Sequence, residues 1–342
     1  MTGKKRILAR TLSMVGLSSL IVKLRTCMGD SITILAYHRV LDTWDEQDFE
    51  FNLDLISASV ADFRSQMTYV RKYFTPVTFR TLLDHLDNSS PLPPRPIIVT
   101  FDDGFDDNYH HAFPVLKSLG MPATIFVSTG YMDQPRTFWF DWLCHLYFRV
   151  AVTRPSIRFA DAMFDVSKDA TKRRTDVINL LNHAKRLPDE QLRDAMSALE
   201  RELQIDHPVN GFPQSRTLSW AQIREMAGQG IEFGSHSVTH PILTNLIESR
   251  LHEEMALSKA RLEQELSCDI QVIAYPDGGN FAINDDVINA ARAAGYRLGT
   301  SYMAGVNSIN IKDRFRLKRL AIERYTNQAD FKAMLALPHL LA

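Results

Sequence analysis

The chain has little cysteine, and none of it stands at a metal-binding spacing. Only three cysteines occur in 342 residues, and no two of them form a Cys-x-x-Cys motif. A small, odd and scattered set indicates neither a disulfide framework nor a thiolate zinc site. A reducing compartment therefore suits the sequence without being required by it. The three residues are Cys27, Cys144 and Cys268.

Long hydrophobic runs and an excess of one charge are missing as well. The formal net charge is −1, so there is no electrostatic reason to expect a nucleic-acid partner. The apolar stretch from Leu12 to Val22 is interrupted by serines and a glycine and is too short to span a bilayer. What is present, 45% hydrophobic and 23% charged residues, is ordinary for a soluble globular protein of one large or two small domains.

Residues 1–28 differ in character from the rest. Basic residues precede and follow the apolar stretch, so a helix here would be basic and amphipathic, and residues 4–25 would suit contact with a membrane surface. The basic start and short apolar middle also resemble a secretory signal, but no convincing cleavage site follows. We therefore expect a cytoplasmic or peripheral membrane protein, with export by a cleaved or uncleaved signal left open.

The first chemical motif ends a short apolar strand. Ile97 to Phe101 are all β-formers, and Asp102, Asp103 and Gly104 follow directly. Parallel α/β proteins build active sites at the carboxyl ends of such strands. Because neighbouring strand residues point to opposite sides, the two carboxylates could take different roles. The alternative is that both acids cap a helix that begins near Asp107.

The alternation of apolar strand and amphipathic helix recurs along the chain. Strand–helix–strand units build parallel sheets, and about seven of them over this length favour a closed or nearly closed barrel. We predict an α/β fold, a distorted (β/α)7 barrel over 29–342, with a charged helical insertion at about 131–217. Strands are predicted at 32–37, 97–101, 123–127, 231–234, 271–275, 296–300 and 317–322, and helices at 61–73, 79–87, 110–119, 168–203, 219–228, 246–266, 284–294 and 328–337.

Two histidines follow another predicted strand. His236 and His240 are four residues apart, which would place them on one side of a helical turn. With one carboxylate from the first motif, they would hold a divalent metal and leave positions open for water and substrate. The other carboxylate would then be free to act as a base. Such a pair also occurs by chance, so its value depends on sharing a barrel end with Asp102 and Asp103.

A fixed turn and an aromatic group are further candidates. Proline and two glycines between Ala274 and Asn280 make either a turn whose amides face an oxyanion or an ordinary loop. The aromatic residues between Phe138 and Trp142 either seat the insertion on the barrel or provide a stacking surface for sugar rings. Four other histidines are interpreted as surface residues: His110, His111, His145 and His183.

Together these motifs resemble those of the polysaccharide deacetylases, carbohydrate esterase family four. The resemblance lies in Thr100–Gly104 and His236–His240, with Gly120–Thr124 and Leu218–Trp220 beside them, and it covers 31–325 apart from the insertion. It implies a distorted barrel, in agreement with the count of units above. It also implies removal of acetyl groups from an N-acetylated glycan with a divalent metal, usually Zn2+.

The resemblance implies a role for each matching residue. Asp103, His236 and His240 match the metal ligands. Asp102 matches the catalytic base, and Asp277 stands where a backbone amide holds the oxyanion. These roles compose a metal-assisted hydrolysis of the acetyl amide.

The sequence departs from the family pattern around Pro276. Many members have an arginine shortly before this proline, where this chain has Ala274 and Tyr275. The orienting arginine would have to come from elsewhere, with Arg319 as a candidate, or be missing. Members usually have tyrosine after the proline, where this chain has Asp277. Backbone donation survives that change, but a carboxylate there could repel an anion.

Another departure concerns the general acid. Most members carry it in a late Leu-x-His motif, but residues 307–337 contain no histidine. The permuted poly-N-acetylglucosamine deacetylases have an early Tyr-His instead, and this chain has Tyr37-His38 at the end of its first predicted strand. A single histidine there would ordinarily be structural, but the resemblance makes His38 the candidate general acid.

We therefore expect a metal-dependent hydrolase that removes N-acetyl groups from an amino-sugar glycan. The alternative is a catalytically weakened barrel that binds glycan, which the altered residue after Pro276 favours and the intact metal and base residues oppose. A two-metal phosphoesterase would usually need more carboxylates and histidines than the chain places at this end of the barrel.

Overall fold

The structure is a computed structural model that describes residues 31–150 and 153–338. The predicted N-terminal segment, including residues 4–25, lies outside the described residues. Within the two described ranges, no helix is both long and apolar enough to cross a membrane.

Seven parallel strands close into a barrel. The strands of the described residues are β1 Ser31–Tyr37, β2 Arg39–Leu41, β3 Ile56–Ser59, β4 Thr75–Pro76, β5 Pro96–Phe101, β6 Thr124–Val127, β7 Ser156–Phe159, β8 Ala162–Asp165, β9 Glu232–Ser235, β10 Val272–Ala274, β11 Leu298–Ala304, β12 Asn307–Ser308 and β13 Leu317–Ala321. The order β1-β13-β11-β10-β9-β6-β5 returns to β1, and each neighbouring pair is parallel. This confirms the predicted (β/α)7 barrel, and each predicted strand overlaps one of the seven.

Helices alternate with the barrel strands, as predicted. They are α1 Val60–Tyr73, α2 Phe79–Asn88, α3 Phe113–Leu119, α4 Trp139–Val150, α5 Ala170–Ala184, α6 Asp189–Leu203, α7 Trp220–Ala227, α8 Glu248–Leu266, α9 Asp285–Ala293 and α10 Gln328–Ala336. Short turns add a π-helical segment at Asn108–Ala112 and 3-10 segments at Leu53–Leu55, Pro213–Ser215 and Leu243–Asn245.

The strand residues divide between two apolar clusters. Leu35 and Val99 belong to the large cluster shared with the surrounding helices, whereas Ile34 and Ile98 belong to a smaller one drawn from six barrel strands. The division follows the alternation of side chains along a strand. The smaller cluster therefore fills the barrel interior.

Helix α2 closes the amino end of the barrel. Phe79 and Leu82 pack into the interior cluster. The carboxylate of Glu232, the first residue of β9, accepts the N–H groups of Phe79 at 2.9 Å and Arg80 at 3.0 Å. An anion at a helix N-terminus satisfies free N–H groups and complements the helix dipole. With this end closed, the carboxyl ends of the strands are left for a site.

The segment between β6 and β9 carries α4, the antiparallel β7–β8 hairpin, α5 and α6. The two helices α5 and α6 confirm the helical pattern at 168–203. Helix α4 and the hairpin were not predicted. Almost every residue of α4 is buried. Its polar residues Asp141, His145 and Arg149 recur every four residues, as on one side of a helix, but its aromatic residues were interpreted only as a packing or stacking group.

Candidate active site

The first motif follows β5 as a turn, and its backbone has a conformation that few residues adopt. Asp103 has φ 72° and Gly104 has φ 80°. This left-handed region is uncommon for aspartate and natural for glycine. A Cβ on Gly104 would come within 2.7 Å of Val127 Cγ1, so glycine is also required by space. Backbone strain of this kind collects at functional sites.

Asp103, His236 and His240 meet at the carboxyl end of the barrel. Asp103 Oδ1 lies 3.5 Å from His236 Nε2 and 3.2 Å from His240 Nε2. All three side chains are buried, and one ligand atom from each lies within 4.8 Å of the others. A carboxylate and two imidazoles at this separation form a group that could hold one divalent cation.

The hydrogen bonding of this group fits a metal. Within the described residues, both Asp103 carboxylate oxygens are buried and have no hydrogen-bond partner. A buried carboxylate in that condition is costly unless a cation satisfies it. His236 Nδ1 lies 2.8 Å from the carbonyl oxygen of Ala274. Donation to that carbonyl fixes the tautomer and leaves the Nε2 lone pair free on the Asp103 side.

The charges of the group are strongly coupled. Burial acts to raise the pKa of Asp103, but the nearby imidazoles of His236 and His240 outweigh it and lower that pKa far below its ordinary value. Burial acts to lower the pKa of His236, but Asp103 and Asp102 outweigh it and raise that pKa. A bound cation would compete with the protons of the imidazoles, so its affinity should increase with pH.

The two histidines do not lie on a helical turn, so that part of the prediction is wrong. The segment after β9 is an irregular loop in which Ser237 has φ 64° and His240 has φ 55°. Ser235 Oγ accepts the Ser237 N–H and Ser237 Oγ accepts the His240 N–H, both at 3.1 Å. Such local side-chain bonds to the backbone compete with helix formation.

A buried glutamate of α8 holds the same loop. The Glu254 carboxylate accepts the Val238 N–H at 2.7 Å, the Thr239 N–H at 2.9 Å and the Thr239 hydroxyl at 2.6 Å. These bonds satisfy the buried charge and fix the backbone between the two histidines. Sequence reasoning missed Glu254 because it is one of several acids in a charged helix.

Asp102 forms a bidentate ion pair with Arg319. Arg319 Nη1 and Nη2 each donate to one carboxylate oxygen at 2.7 Å, and Nε donates to the Ser301 carbonyl at 2.9 Å. Burial acts to raise the pKa of Asp102, but Arg319, with His236, outweighs it and lowers that pKa. The helix-cap alternative for Asp102 and Asp103 is therefore wrong, and Arg319 is the arginine that orients Asp102.

His38 lies beside Asp102. Its Nε2 is 3.9 Å from Asp102 Oδ2. The His38 N–H donates to Ser57 Oγ at 2.9 Å, and its carbonyl accepts from Asn108 Nδ2 at 2.8 Å. Burial lowers the pKa of His38 against the opposing charges of Asp103 and Asp102. The ring therefore gives up a proton more readily than an exposed histidine.

Asp277 stands in a fixed turn after β10. It has φ 61°, and Gly278 has φ 63°. The Tyr302 N–H donates to the Gly278 carbonyl at 2.7 Å, and a Cβ on Gly278 would come within 2.7 Å of that same nitrogen. The Asp277 carboxylate forms an ion pair with Lys185, with 2.6 Å between Oδ2 and Nζ.

One cavity of about 290 Å³ is lined by six of the candidate residues, and Arg319 lies buried behind it. The six are His38, Asp102, Asp103, His236, His240 and Asp277. Trp139 and Phe140 form part of its wall, and Trp139 Nε1 donates to the His240 carbonyl at 3.0 Å. Phe138 and Trp142 are buried and do not line the cavity. The aromatic group thus both packs the insertion against the barrel and lines the cavity. Other lining residues include Asn52, Asp54, Ile178, Leu181, Lys185 and Tyr302.

One histidine outside the cavity differs from its predicted position. His145, interpreted as a surface residue, is buried on α4. Its ring stacks on Trp142 with the centroids 5.3 Å apart, and its Nδ1 lies 2.9 Å from Glu50 Oε2. The aromatic surroundings of the insertion bury it.

A closed parallel barrel that gathers an aspartate, two histidines and an arginine-paired carboxylate at its carboxyl end has the architecture of the barrel-type carbohydrate deacetylases. The chain belongs to the polysaccharide deacetylase family, whose sequence model matches residues 89–299. That range contains both carboxylates of the first motif and both histidines of the second, whereas His38 and Arg319 lie outside it.

Individual proteins show the same relationship at low identity. The chain is 24% identical to YxkH of Bacillus subtilis over 212 residues, which are 62% of this chain and 46% of that protein. It is 26% identical over 102 residues to the poly-β-1,6-N-acetyl-D-glucosamine N-deacetylase of Escherichia coli K12, covering 30% of this chain and 14% of that protein. The matches thus span less than half of each relative's length.

A solved structure confirms the fold. The Streptococcus pyogenes deacetylase PplD, determined in complex with acetate, aligns over 87% of this chain and 94% of its own with a TM-score of 0.57. Its sequence identity to this chain is 21%, so the likeness shows the shared barrel.

Proposed function

We propose that this protein is a metal-dependent hydrolase that removes N-acetyl groups from an amino-sugar glycan. The convergence of Asp103, His236 and His240 in one cavity with Asp102 and His38 carries the proposal. An amide resists hydrolysis because its carbonyl is weakly electrophilic and its amine is a poor leaving group. The reaction therefore needs a polarised carbonyl, an activated water and a proton for the amine.

The substrate class is supported by a relative and by the cavity wall. The E. coli relative is named for poly-β-1,6-N-acetyl-D-glucosamine. Trp139 offers an aromatic surface to the apolar face of a sugar ring, and Asn52 and Asp54 offer polar groups to its hydroxyls. An N-acetylated glycan is therefore the proposed partner.

The three candidate ligands, Asp103, His236 and His240 (the metal group), and the base Asp102 would have separate roles. Asp103, His236 and His240 would hold a divalent cation, for which we propose Zn2+, and when bound it supplies Lewis-acid polarisation of the acetyl carbonyl and acidifies the attacking water. Asp102 takes up the proton of that water. Arg319 keeps the Asp102 carboxylate ionised and directs it through two hydrogen bonds.

The remaining groups act on the oxyanion and the amine. The backbone N–H of Asp277 donates to the oxyanion, as a backbone donor held in a rigid turn can do without reorganisation. His38 gives its proton to the nitrogen as the bond to the acetyl carbon breaks. Ser57 and Asn108 hold the His38 backbone for this step.

Acetate release tests the proposal. Zinc-loaded protein should release acetate from N-acetylglucosamine oligosaccharides, and removal of the metal by a chelator followed by dialysis should lower the rate at least about 100-fold. Added Zn2+ should restore it. A protein that binds the oligosaccharides and the metal but releases no acetate would be the glycan-binding barrel of the alternative.

His38→Ala should lower kcat by about 10²- to 10⁴-fold because the amine would leave without its proton. The protonated fraction of His38 falls as the pH rises, so the alkaline decline of kcat/KM that reports this proton should disappear. Rates of acetate release across a pH series measure both effects. His145→Ala is the control, since His145 also pairs with a carboxylate but lies outside the cavity. Full acetate release by the His38 variant would remove it from the mechanism.

A further inference from the structure

The proposed function leaves one charge in the cavity to be explained, the carboxylate of Asp277. It stands beside the amide that would hold the oxyanion, and its charge has the same sign. Lys185 Nζ lies 2.6 Å from Asp277 Oδ2, and the two side chains are only 28% and 14% exposed. Both residues line the cavity that contains Asp103. The pair is therefore better shielded from water than an ordinary surface ion pair.

Lys185 is held in position by its own backbone. It ends α5, and its N–H donates to the Leu181 carbonyl at 2.9 Å. The side-chain amide of Asn245 donates to the carbonyls of Lys185 at 3.0 Å and Leu187 at 2.8 Å. Asn245 lies between β9 and α8, in the same connection as the histidine loop. The carboxyl end of α5, within the insertion, is thus fastened to the connection that carries His236 and His240.

We propose that Lys185 is a positioning residue that neutralises the Asp277 carboxylate and holds the turn so that its amide, and not its side chain, faces the oxyanion. This rests on the proposed function, because the charge concerned develops during acetate release. Without Lys185, the partly buried carboxylate of Asp277 would repel the developing oxyanion, because water screens charges only weakly at this position. The insertion thereby contributes to the chemistry of the barrel.

A double-mutant cycle tests the pairing. Lys185→Met should lower kcat by about 10- to 100-fold with a smaller change in KM, because the repulsion is greatest when the oxyanion forms. Combined with Asp277→Asn, the same change should lower kcat by less than about threefold relative to Asp277→Asn alone. Lys185→Arg should keep most of the activity, since a cation still reaches the carboxylate.

A matched control lies on the same helix. Lys172 pairs with Asp176 at 3.1 Å on the outside of α5, so Lys172→Met removes a lysine and an ion pair away from the cavity. It should leave kcat unchanged. An equal loss for Lys185→Met in the presence and absence of Asp277→Asn would overturn the proposal, since Lys185 would then act without Asp277.

Acetate binding separates this proposal from the proposed function. By calorimetry, Lys185→Met should weaken the affinity of zinc-loaded protein for acetate about tenfold, and this effect should vanish in the Asp277→Asn background. If this coupling is found in a protein that releases no acetate, the proposed function is wrong and the role of Lys185 toward an anion stands. If acetate is released but neither turnover nor binding shows coupling, the Lys185 proposal is wrong.

Discussion

Asp102→Asn should lower kcat for acetate release by about 10²- to 10⁴-fold, the range attributed to a general base. The substitution keeps the shape of the side chain but removes its negative charge and its capacity to take up a proton. Asp102 is not among the three residues of the metal group, so the zinc content should stay at the wild-type level. Steady-state rates and metal analysis on the same preparations measure both expectations.

The pH dependence of stability gives a second expectation for this variant. The pKa of Asp102 is lowered from 3.8 because Arg319 and His236 outweigh burial. Its ion pair therefore contributes stability that is present above pH 3.8 and is lost as the pH falls through the lowered pKa. Thermal unfolding should show Asp102→Asn less stable than the wild type at neutral pH, with a difference that shrinks in acid.

Asp107→Asn is the matched control for Asp102→Asn. Asp107 Oδ2 accepts from Arg39 Nε at 2.8 Å, both side chains are buried, and neither lines the cavity. Each substitution breaks a buried pair, which costs about 3–5 kcal/mol. Rates are compared at a temperature where both variants are folded. If Asp107→Asn lost as much acetate release as Asp102→Asn, instability would explain the loss and Asp102 would not be the base.

The barrel was predictable because its strands carry a strong local signal. β5 is buried along its whole length, and a parallel strand covered on both faces appears in sequence as an unbroken apolar run. Asp102 and Asp103 could be placed at the end of that run. His236 could likewise be placed just after the predicted strand at 231–234. The carboxyl ends of parallel strands share one edge, so the convergence of these residues follows from the topology.

The partners of those residues could not be predicted with the same means. Asp102 and Arg319 are 217 residues apart in sequence, and a chain with 39 lysines and arginines gives no local sign of which one will pair. Arg319 was named as a candidate only after the family resemblance called for an arginine. Lys185 lies in the insertion, whose sequence shows helical periodicity but not where the helix ends against the barrel. The irregular loop between His236 and His240 was not predicted either, because its conformation depends on the distant Glu254 as well as on local serines.

His236→Ala should remove Zn2+ retention and acetate release together. The variant keeps only one imidazole and Asp103, and changes in residues that merely orient metal ligands already cost about 10- to 100-fold in affinity. We therefore expect the Zn2+ affinity to fall by more than about 100-fold. In the wild type, free Zn2+ at 100 times its Kd should raise the free energy of unfolding by about 2.7 kcal/mol. Thermal unfolding with and without Zn2+ should show no such gain in the variant.

His111→Ala is the control for His236→Ala. It distinguishes the effect of losing a metal ligand from the effect of losing a hydrogen-bonded histidine elsewhere in the protein. His111 Nδ1 lies 2.8 Å from the Val40 carbonyl, as His236 Nδ1 does from that of Ala274, but His111 is not part of the metal group. Its removal breaks the same kind of hydrogen bond and should leave the Zn2+-dependent gain in stability intact. If His236→Ala kept wild-type Zn2+ affinity, the cation would not be bound by this group. The unpartnered oxygens of Asp103 would then need another explanation, and the proposed hydrolysis would lose its Lewis acid.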